Sequence, residues 1–127
     1  MRTLADLLAD SFAFIALFED NERYRRLFSR GGIVTTAMNV LEIYGNLLRR
    51  YGREEALGFA SPVLPMVVDV PPETALPAAE FRLRMSKEGR PCSHIDAWGW
   101  AAAKALGRKF LTGDPAFKGV DNVEFVR

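Results

Sequence analysis

The stretch SHIDAWGWAAAKALGRKFLTGDPAF, residues 93–117, decides the fold class of this chain. Ser93 is a good helix cap, an Ala-rich body follows it, and Gly107 stands where a helix would end, so a helix is predicted over residues 93–106. The apolar run Lys109–Thr112 comes directly after it and predicts a buried strand. A helix that leads straight into a strand is typical of α/β domains with parallel strands and right-handed crossovers.

Two carboxylates frame this helix and strand. Asp96 lies in the first turn of the helix, and Asp114 lies in the turn after the strand. Ligands of parallel sheets bind at this carboxyl end of the strands. Upstream, Asp10 ends another predicted strand, and Glu42 lies about one turn into another helix. Four converging carboxylates repel one another and persist together only if a cation sits among them. Oxygen ligands suit Mg²⁺ or Mn²⁺, whereas zinc normally needs His or Cys, of which the chain has one each.

The rest of the chain continues the alternation of helices and strands, with no internal repeat. Further strands are predicted at residues 4–9, 65–70 and 123–126, the second of them buried and bounded by prolines. Further helices are predicted at 12–18, at 22–28, from a cap at Thr35 or Thr36 as far as Gly52, at Arg53–Ala60, and from Pro71 to about Gly89. We therefore expect a single domain over residues 1–127, a three-layer α/β/α sandwich with a mainly parallel central sheet covered on both faces.

Composition excludes several classes of protein. With 17 basic and 16 acidic residues, the formal net charge is only +1, so a polyanion would have to be held by a local patch. The single Cys92 cannot form an intramolecular disulfide, and the N-terminus does not have the pattern of a secretory signal. The longest apolar run, residues 12–18, is far shorter than the ~20 residues needed to cross a bilayer. These features predict a cytoplasmic protein with no membrane partner.

Each candidate acid also has a purely structural interpretation. Asp10 could do no more than end a strand or cap a helix. Asp96 follows Ser93 at the spacing of a capping box, and Asp114 lies in good β-turn sequence. Glu42 could belong to a solvated polar stripe on its helix. Taken one at a time, the acids leave both interpretations open.

The basic and aromatic residues are less informative. Arg49, Arg50 and Arg53 form the most compact basic cluster, which could contact RNA phosphates or could simply be a solvated helix face. His94, beside a helix cap, is interpreted as structural or solvated rather than catalytic. Trp98 is interpreted as a core or dimer-surface residue rather than a platform for stacking bases.

The four acidic motifs together resemble the PIN domain, a family of small α/β nucleases, and within it the VapC-type toxins of toxin–antitoxin pairs. The segments DSFAFIA, LEI, DA and LTGDPAF are similar to that family's four acidic motifs, in the right order; they occupy residues 10–16, 41–43, 96–97 and 111–117. The resemblance covers the whole chain, and the last two motifs are its most specific part.

The resemblance implies a metal-dependent endoribonuclease that hydrolyses RNA phosphodiester bonds. Asp10, Asp96 and Asp114 would hold Mg²⁺ or Mn²⁺, and Glu42 would act directly or through water. A bound metal ion can lower the pKa of a water molecule and offset charge on the departing oxygen, which agrees with such an activity.

The resemblance also implies supporting residues and partners. Ser11 and Thr112 would orient the carboxylates from behind, as metal sites usually require. Family members commonly form homodimers and are neutralised by a small antitoxin whose tail enters the acidic cleft, so we expect both a second copy and an antitoxin as partners.

Two other functions stay open at this stage. The chain could be a PIN-like protein that binds RNA or a partner without cutting, as a scaffold in RNA processing. A phospho-accepting receiver domain would have a similar size and sheet, but it needs paired acids after the first strand. Here Asp10 is followed by Ser11, and Asp69 stands before two prolines, which disfavours a receiver domain.

Overall fold

The computed structural model describes residues 6–127 of the chain. Three strands are present: β1 Leu7–Ala9, β2 Lys109–Thr112 and β3 Val123–Phe125. Six α-helices surround them: α1 Ser11–Phe18, α2 Glu22–Ser29, α3 Ala37–Tyr51, α4 Arg53–Ala60, α5 Ala75–Lys87 and α6 His94–Ala105. The predicted helices agree with these bounds closely, and the strands after α6 are found where they are predicted.

The sheet is parallel throughout its three strands, with β2 in the centre between β1 and β3. Two isolated parallel bridges extend it on the β1 side. Val34 pairs with Leu8, and Thr35 pairs with Val67. The order across this edge is therefore Val67, then Val34 and Thr35, then β1, β2 and β3.

One strand prediction needs correction, and another is confirmed in part. The strand predicted at residues 65–70 is wrong, because Pro65 lies in a 3-10 helix, Ser61–Met66, and only Val67 makes a bridge to the sheet. Proline cannot donate to a ladder, and Pro62 and Pro65 both favour the tight turn instead. Of the strand predicted at residues 4–9, Leu7–Ala9 is confirmed, and residues 4 and 5 lie outside the described residues.

The alternation of side chains along the strands divides the core into two halves. Leu7, Ala9 and Leu111 pack on one face against α1 to α4, whereas Leu8 and Phe110 pack on the other against α5 and α6. All five are buried. Successive strand residues point to opposite faces, so a sheet that is apolar on both faces must be covered on both. This confirms the three-layer α/β/α arrangement.

Local signals in the sequence set the helix ends that frame the site. Thr36 caps α3 by accepting from the amide of Asn39, and Gly52 with φ +82° ends it. The helix predicted from Pro71 starts instead as a 3-10 turn, Pro72–Thr74, and becomes α5 only at Ala75. Pro77 lies in the first turn of α5, where its missing amide removes no helical hydrogen bond. Among residues 6–127, no helix has the length and apolar character that crossing a membrane requires.

Candidate active site

The predicted site residues lie at the carboxyl ends of the strands. Asp10 follows β1 directly, Thr112 is the last residue of β2, and Asp114 comes two residues later. Asp96 lies in the first turn of α6, and Glu42 lies in the second turn of α3. The parallel topology therefore brings these acids from distant parts of the sequence to one edge of the sheet.

Asp10 is the most deeply buried of the acids, with 2% of its surface exposed. Its carboxylate caps α1, accepting from the amide of Ala13 at 2.8 Å. Burial raises its pKa from 3.8 to about 8; the hydrogen bonds from the Thr112 hydroxyl and Ala13 lower it, and the charges of Asp96 and Asp114 raise it. A carboxyl group in this environment resists ionisation unless a positive charge accompanies it.

Asp96 completes a capping box at the start of α6. The Ser93 hydroxyl accepts from the Asp96 amide at 3.0 Å, and the Asp96 carboxylate accepts from the Ser93 amide at 3.4 Å. Burial and then the charge of Glu42 raise its pKa, the Ser93 hydrogen bonds lower it, and Asp114 raises it further. The capping interpretation of Asp96 is therefore correct in geometry, but the residue is also coupled electrostatically to the other acids.

Thr112 links Asp10 to Asp114. Its hydroxyl donates to the Asp10 carboxylate and accepts from the amide of Asp114 at 3.1 Å. The Asp114 carboxylate in turn accepts from the Ala116 amide at 3.0 Å, where it caps a 3-10 turn, Pro115–Phe117. One buried hydroxyl thus contacts both candidate acids, and its role in orienting metal ligands stays a prediction.

Ser11 makes a different contact from the one predicted for it. Its hydroxyl donates to the main-chain oxygen of Asn39 at 3.5 Å, so it joins the start of α1 to α3 instead of bonding to a carboxylate. Asn39 lies one turn before Glu42 and is completely buried, although it falls on the stripe interpreted as solvated. Its side-chain oxygen accepts from the Thr36 hydroxyl at 2.7 Å. Glu42 itself is only partly buried, which leaves it accessible at the edge of the cluster.

The charges of Asp96 and Asp114 raise the pKa of Asp10, and those of Glu42 and Asp114 raise the pKa of Asp96, but the acids do not form a ready-made cage. Within residues 6–127, no three Asp, Glu, His or Cys side chains are arranged so that they could hold a metal ion between them. The convergence of the four carboxylates on a cation therefore stays a prediction. Asp10, Asp96 and Asp114 each turn one oxygen back to a backbone amide. The all-oxygen donor set still suits Mg²⁺, which commonly uses one or two carboxylates and completes its shell with water and phosphate.

The arginines predicted for RNA contact lie away from this cluster and differ from one another. The Arg50 guanidinium pairs with Glu19 at 3.3 Å, and Arg49 donates to the side chain of Asn46. Arg53 begins α4 and is exposed. Arg49 lies seven residues after Glu42, about 10 Å along the helix. The three arginines thus make different contacts, and their predicted role in RNA binding stays a prediction.

Two other arginines, which the sequence analysis missed, lie nearer to the candidate site. Arg82 on α5 donates from Nε to the main-chain oxygen of Cys92 at 3.0 Å. Arg127 donates to the main-chain oxygen of Gly113 at 3.0 Å, and its guanidinium lies over the Phe12 ring, 5.7 Å from the centroid. Arg82 is followed by Arg84 and Arg127 stands apart from other basic residues, and neither position carries a local pattern that points to the acids.

Comparison with known proteins places this fold. The family model of the PIN domain matches residues 7–123, nearly all of the chain. The chain belongs to the PIN domain family. The match includes all four candidate acids. No curated protein sequence gives a significant match.

Several solved structures share the PIN fold with this chain. VapC20 of Mycobacterium tuberculosis, a toxin that cleaves the sarcin-ricin loop, is 23% identical with a TM-score of 0.75, and the match covers 95% of this chain and 98% of that one. DNA-bound VapBC of Salmonella typhimurium is 13% identical with a TM-score of 0.74, covering 95% and 96%. VapBC-1 of nontypeable Haemophilus influenzae is 16% identical with a TM-score of 0.71, covering 94% and 96%. At these identities the likeness establishes the fold alone.

Proposed function

We propose that this PIN domain is a metal-dependent endoribonuclease and the toxin of a VapBC-type toxin–antitoxin pair. The observation that carries the proposal is the electrostatic coupling of the acids at the carboxyl edge of the sheet. Burial and neighbouring negative charges raise the pKa of Asp10 and of Asp96, and strongly perturbed groups of this kind concentrate at functional sites. The VapC fold of the similar structures supports the same function.

In this proposal, Asp10, Asp96 and Asp114 hold Mg²⁺ or Mn²⁺, with Glu42 acting directly or through water. When bound, the ion supplies a Lewis acid that activates water and offsets negative charge on the phosphate. The Asp10 carboxyl, with a pKa of about 8, gives up its proton when the ion is held. RNA phosphate oxygens and water would supply the remaining oxygen ligands, so a three-carboxylate cage would be unnecessary.

The neighbouring hydroxyls act as positioning groups. The Thr112 hydroxyl contacts both the Asp10 carboxylate and the backbone amide of Asp114, so it fixes the position of one relative to the other. Ser11 ties the turn that carries Asp10 to α3, the helix that carries Glu42. Supporting contacts of this type usually matter for metal affinity because they fix the orientation of the ligands.

We further propose the partners that this function requires. The substrate is RNA, the toxin is neutralised by an antitoxin protein, and the protein acts in the cytoplasm as a homodimer. Two of the similar structures are VapBC complexes, which supports an antitoxin partner. Arg49 and Arg53 remain candidates for phosphate contact, and the ion pair of Arg50 with Glu19 makes it the weakest of the three.

One observation favours the second candidate function, a PIN-like RNA-binding scaffold that does not cut. The carboxylates of Asp10, Asp96 and Asp114 each accept a backbone amide, and no three acidic, His or Cys side chains of the described chain could hold a metal together. A purely structural set of caps would look the same in these contacts. It would not, however, require the acids to lie close enough to raise the pKa of Asp10.

The deciding experiment is RNA cleavage with Mg²⁺ or Mn²⁺, with EDTA, and with Asp96→Asn. The amide oxygen of Asn can still accept from the Ser93 amide, so the capping box survives and circular dichroism should be unchanged. We expect cleavage with either metal, none with EDTA and none by the variant. Wild-type cleavage by a folded Asp96→Asn protein would reject the site assignment. Tight RNA binding without cleavage under either metal would establish the scaffold function instead.

A further inference from the structure

A cavity of about 380 Å³ lies beside the candidate acids, between the start of α3, the first half of α5 and the start of α6. Its walls are mostly apolar. They include Met38 of α3, Ala78, Ala79 and Arg82 of α5, and His94 and Trp98 of α6. A volume of this size is in the range of small-molecule sites, which combine apolar walls with a few polar groups.

The cavity and the acidic cluster share the first turn of α6, although none of the four acids lines the cavity itself. Ile95 and Ala97 both line it, and Asp96 stands between them in the first turn of α6. If a linear polymer is bound at Asp96, the monomer next to the bound one would therefore be within reach of the cavity. The helices α5 and α6 share one half of the core, so the two walls that they supply are held in place.

Trp98 gives the cavity an aromatic wall. Its indole nitrogen is buried behind that wall and has no acceptor in the described part of the chain. Trp100, two residues later, shows the ordinary arrangement, because its indole donates to the main-chain oxygen of Asp121 at 2.8 Å. The ring of Trp98, and not its donor, is therefore the group that would contact a molecule in the cavity.

Arg82 places a positive charge at the same cavity. Its Nε is held by the Cys92 carbonyl at 3.0 Å, so the guanidinium has a fixed position on the wall. Burial raises the pKa of the Cys92 thiol, Asp96 raises it further and Arg82 lowers it, so both charged side chains lie near this thiol. A guanidinium beside an acidic metal site is well placed to bind a phosphate that the acids would repel.

We propose that this cavity binds the base of the nucleotide next to the cleaved phosphodiester, with Trp98 contacting the base and Arg82 contacting an adjacent phosphate. This inference rests on the proposed function in taking RNA as the substrate and the acids as the place where it is cut, but the base site would serve equally a PIN domain that binds RNA without cutting it. Aromatic walls and arginines are the usual means of holding unstacked RNA bases. The cavity would then select which base precedes or follows the cut.

The first test is RNA binding in EDTA, observed through the two indole N–H signals in a ¹⁵N spectrum. Trp98→Phe assigns the signals, and Trp100 serves as an internal control because its donor is already engaged. With each of four homopolymeric RNA oligonucleotides, we expect the Trp98 signal to move most for one base and the Trp100 signal to stay. A Trp98 signal that none of the four oligonucleotides moves would overturn the inference.

The second test fills the cavity with Ala79→Phe and compares it with Ser86→Phe. Both residues are exposed on α5, but only Ala79 lines the cavity. Loss of one stacked base typically weakens binding by about 5- to 150-fold. We expect Ala79→Phe to lose the Trp98 response and to lower kcat/KM for RNA cleavage within that range, while Ser86→Phe behaves as wild type.

The outcomes separate this inference from the proposed function. Absence of cleavage with either metal, together with a base-dependent Trp98 response, would remove the ribonuclease and keep the base site. Normal cleavage by Ala79→Phe would remove the base site and keep the ribonuclease. If Ala79→Phe changes only the oligomeric state measured by light scattering, the cavity is a protein interface and the inference is wrong.

Discussion

Replacing Asp10 with asparagine should make the metal-free protein less sensitive to pH. The folded-state pKa of Asp10, about 8, lies above its ordinary value of 3.8. The folded protein therefore binds this proton more tightly than the unfolded chain does. The contribution of Asp10 to the free energy of unfolding is therefore full below pH 4 and falls as the pH rises toward 8.

The size of this effect follows from the same pKa. Between pH 4 and pH 7, the wild type should lose up to about 4 kcal/mol in the free energy of unfolding, at about 1.4 kcal/mol per pH unit. The side-chain amide of the Asp10→Asn variant cannot ionise, so the variant should not show this loss. This amide must also replace the Thr112 hydrogen bond, and a failure to do so would cost about 1–3 kcal/mol at every pH. The slope with pH, and not the offset, is therefore the informative quantity.

Urea unfolding in EDTA at several pH values would measure this slope. Asp69→Asn is the matched control, because Asp69 is exposed and stands outside the acidic cluster. We expect the stability of the Asp10→Asn variant to exceed that of the control increasingly as the pH rises from 4 to 8. Parallel curves for Asp10→Asn and wild type would refute the reasoning, since burial would then not be opposing ionisation. Addition of Mg²⁺ should stabilise the wild type and not the variant.

Three further predictions concern the same edge of the sheet. Metal binding should tighten as the pH rises toward 8 and should release protons, because Asp10 must ionise to bind the ion. Calorimetry in buffers of different ionisation enthalpy would measure the number of protons released. Metal binding without proton release would contradict this prediction. Thr112→Val should lower the free energy of unfolding by about 1–3 kcal/mol and slow cleavage, because the Asp114 amide loses its acceptor. Thr112→Ser keeps the hydroxyl, so it should restore both the stability and the cleavage rate. An equal loss of stability in the two variants would mean that packing, and not the hydroxyl, is responsible. Gly113→Ala should cost about 1–3 kcal/mol in urea unfolding, because its new methyl group would overlap the Phe12 ring and the Val126 carbonyl; a neutral result would mean that the segment after β3 moves aside.

The sequence was most informative where chemistry is local. Ser93, Thr36 and Gly52 each carry a helix-end signal, and the structure uses all three in that way. The apolar run of β2 also predicts a strand without help from the rest of the chain, because it is short, bounded and followed by turn residues. The positions of the acids at strand and helix ends follow from these boundaries and from the parallel topology.

The sequence was least informative where several elements meet. Val34 joins the sheet through a single bridge, too short to produce a periodic pattern, and the apolar letters around Pro65 imitate a strand. The cavity beside Asp96 needs α3, α5 and α6 together, so Arg82 carried no local signal. The direction in which each carboxylate points likewise depends on the packing of several elements, which the sequence does not show. For this reason the sequence leaves capping and metal binding as alternative interpretations of each acid.

For Asp10, the magnitudes favour the proposed metal site over a purely capping role. A side-chain cap contributes about 1 kcal/mol, and the helix dipole adds roughly 0.3–1 kcal/mol near the first turn. Raising the pKa of Asp10 from 3.8 to about 8 corresponds to about 6 kcal/mol against its charged form, after the Ala13 and Thr112 hydrogen bonds have acted. Capping alone therefore leaves the ionised Asp10 unfavourable, and a serine or asparagine would cap α1 without this cost. An aspartate kept beside Asp96 and Asp114 needs either a proton or a cation, and only the cation uses all three carboxylates as charges.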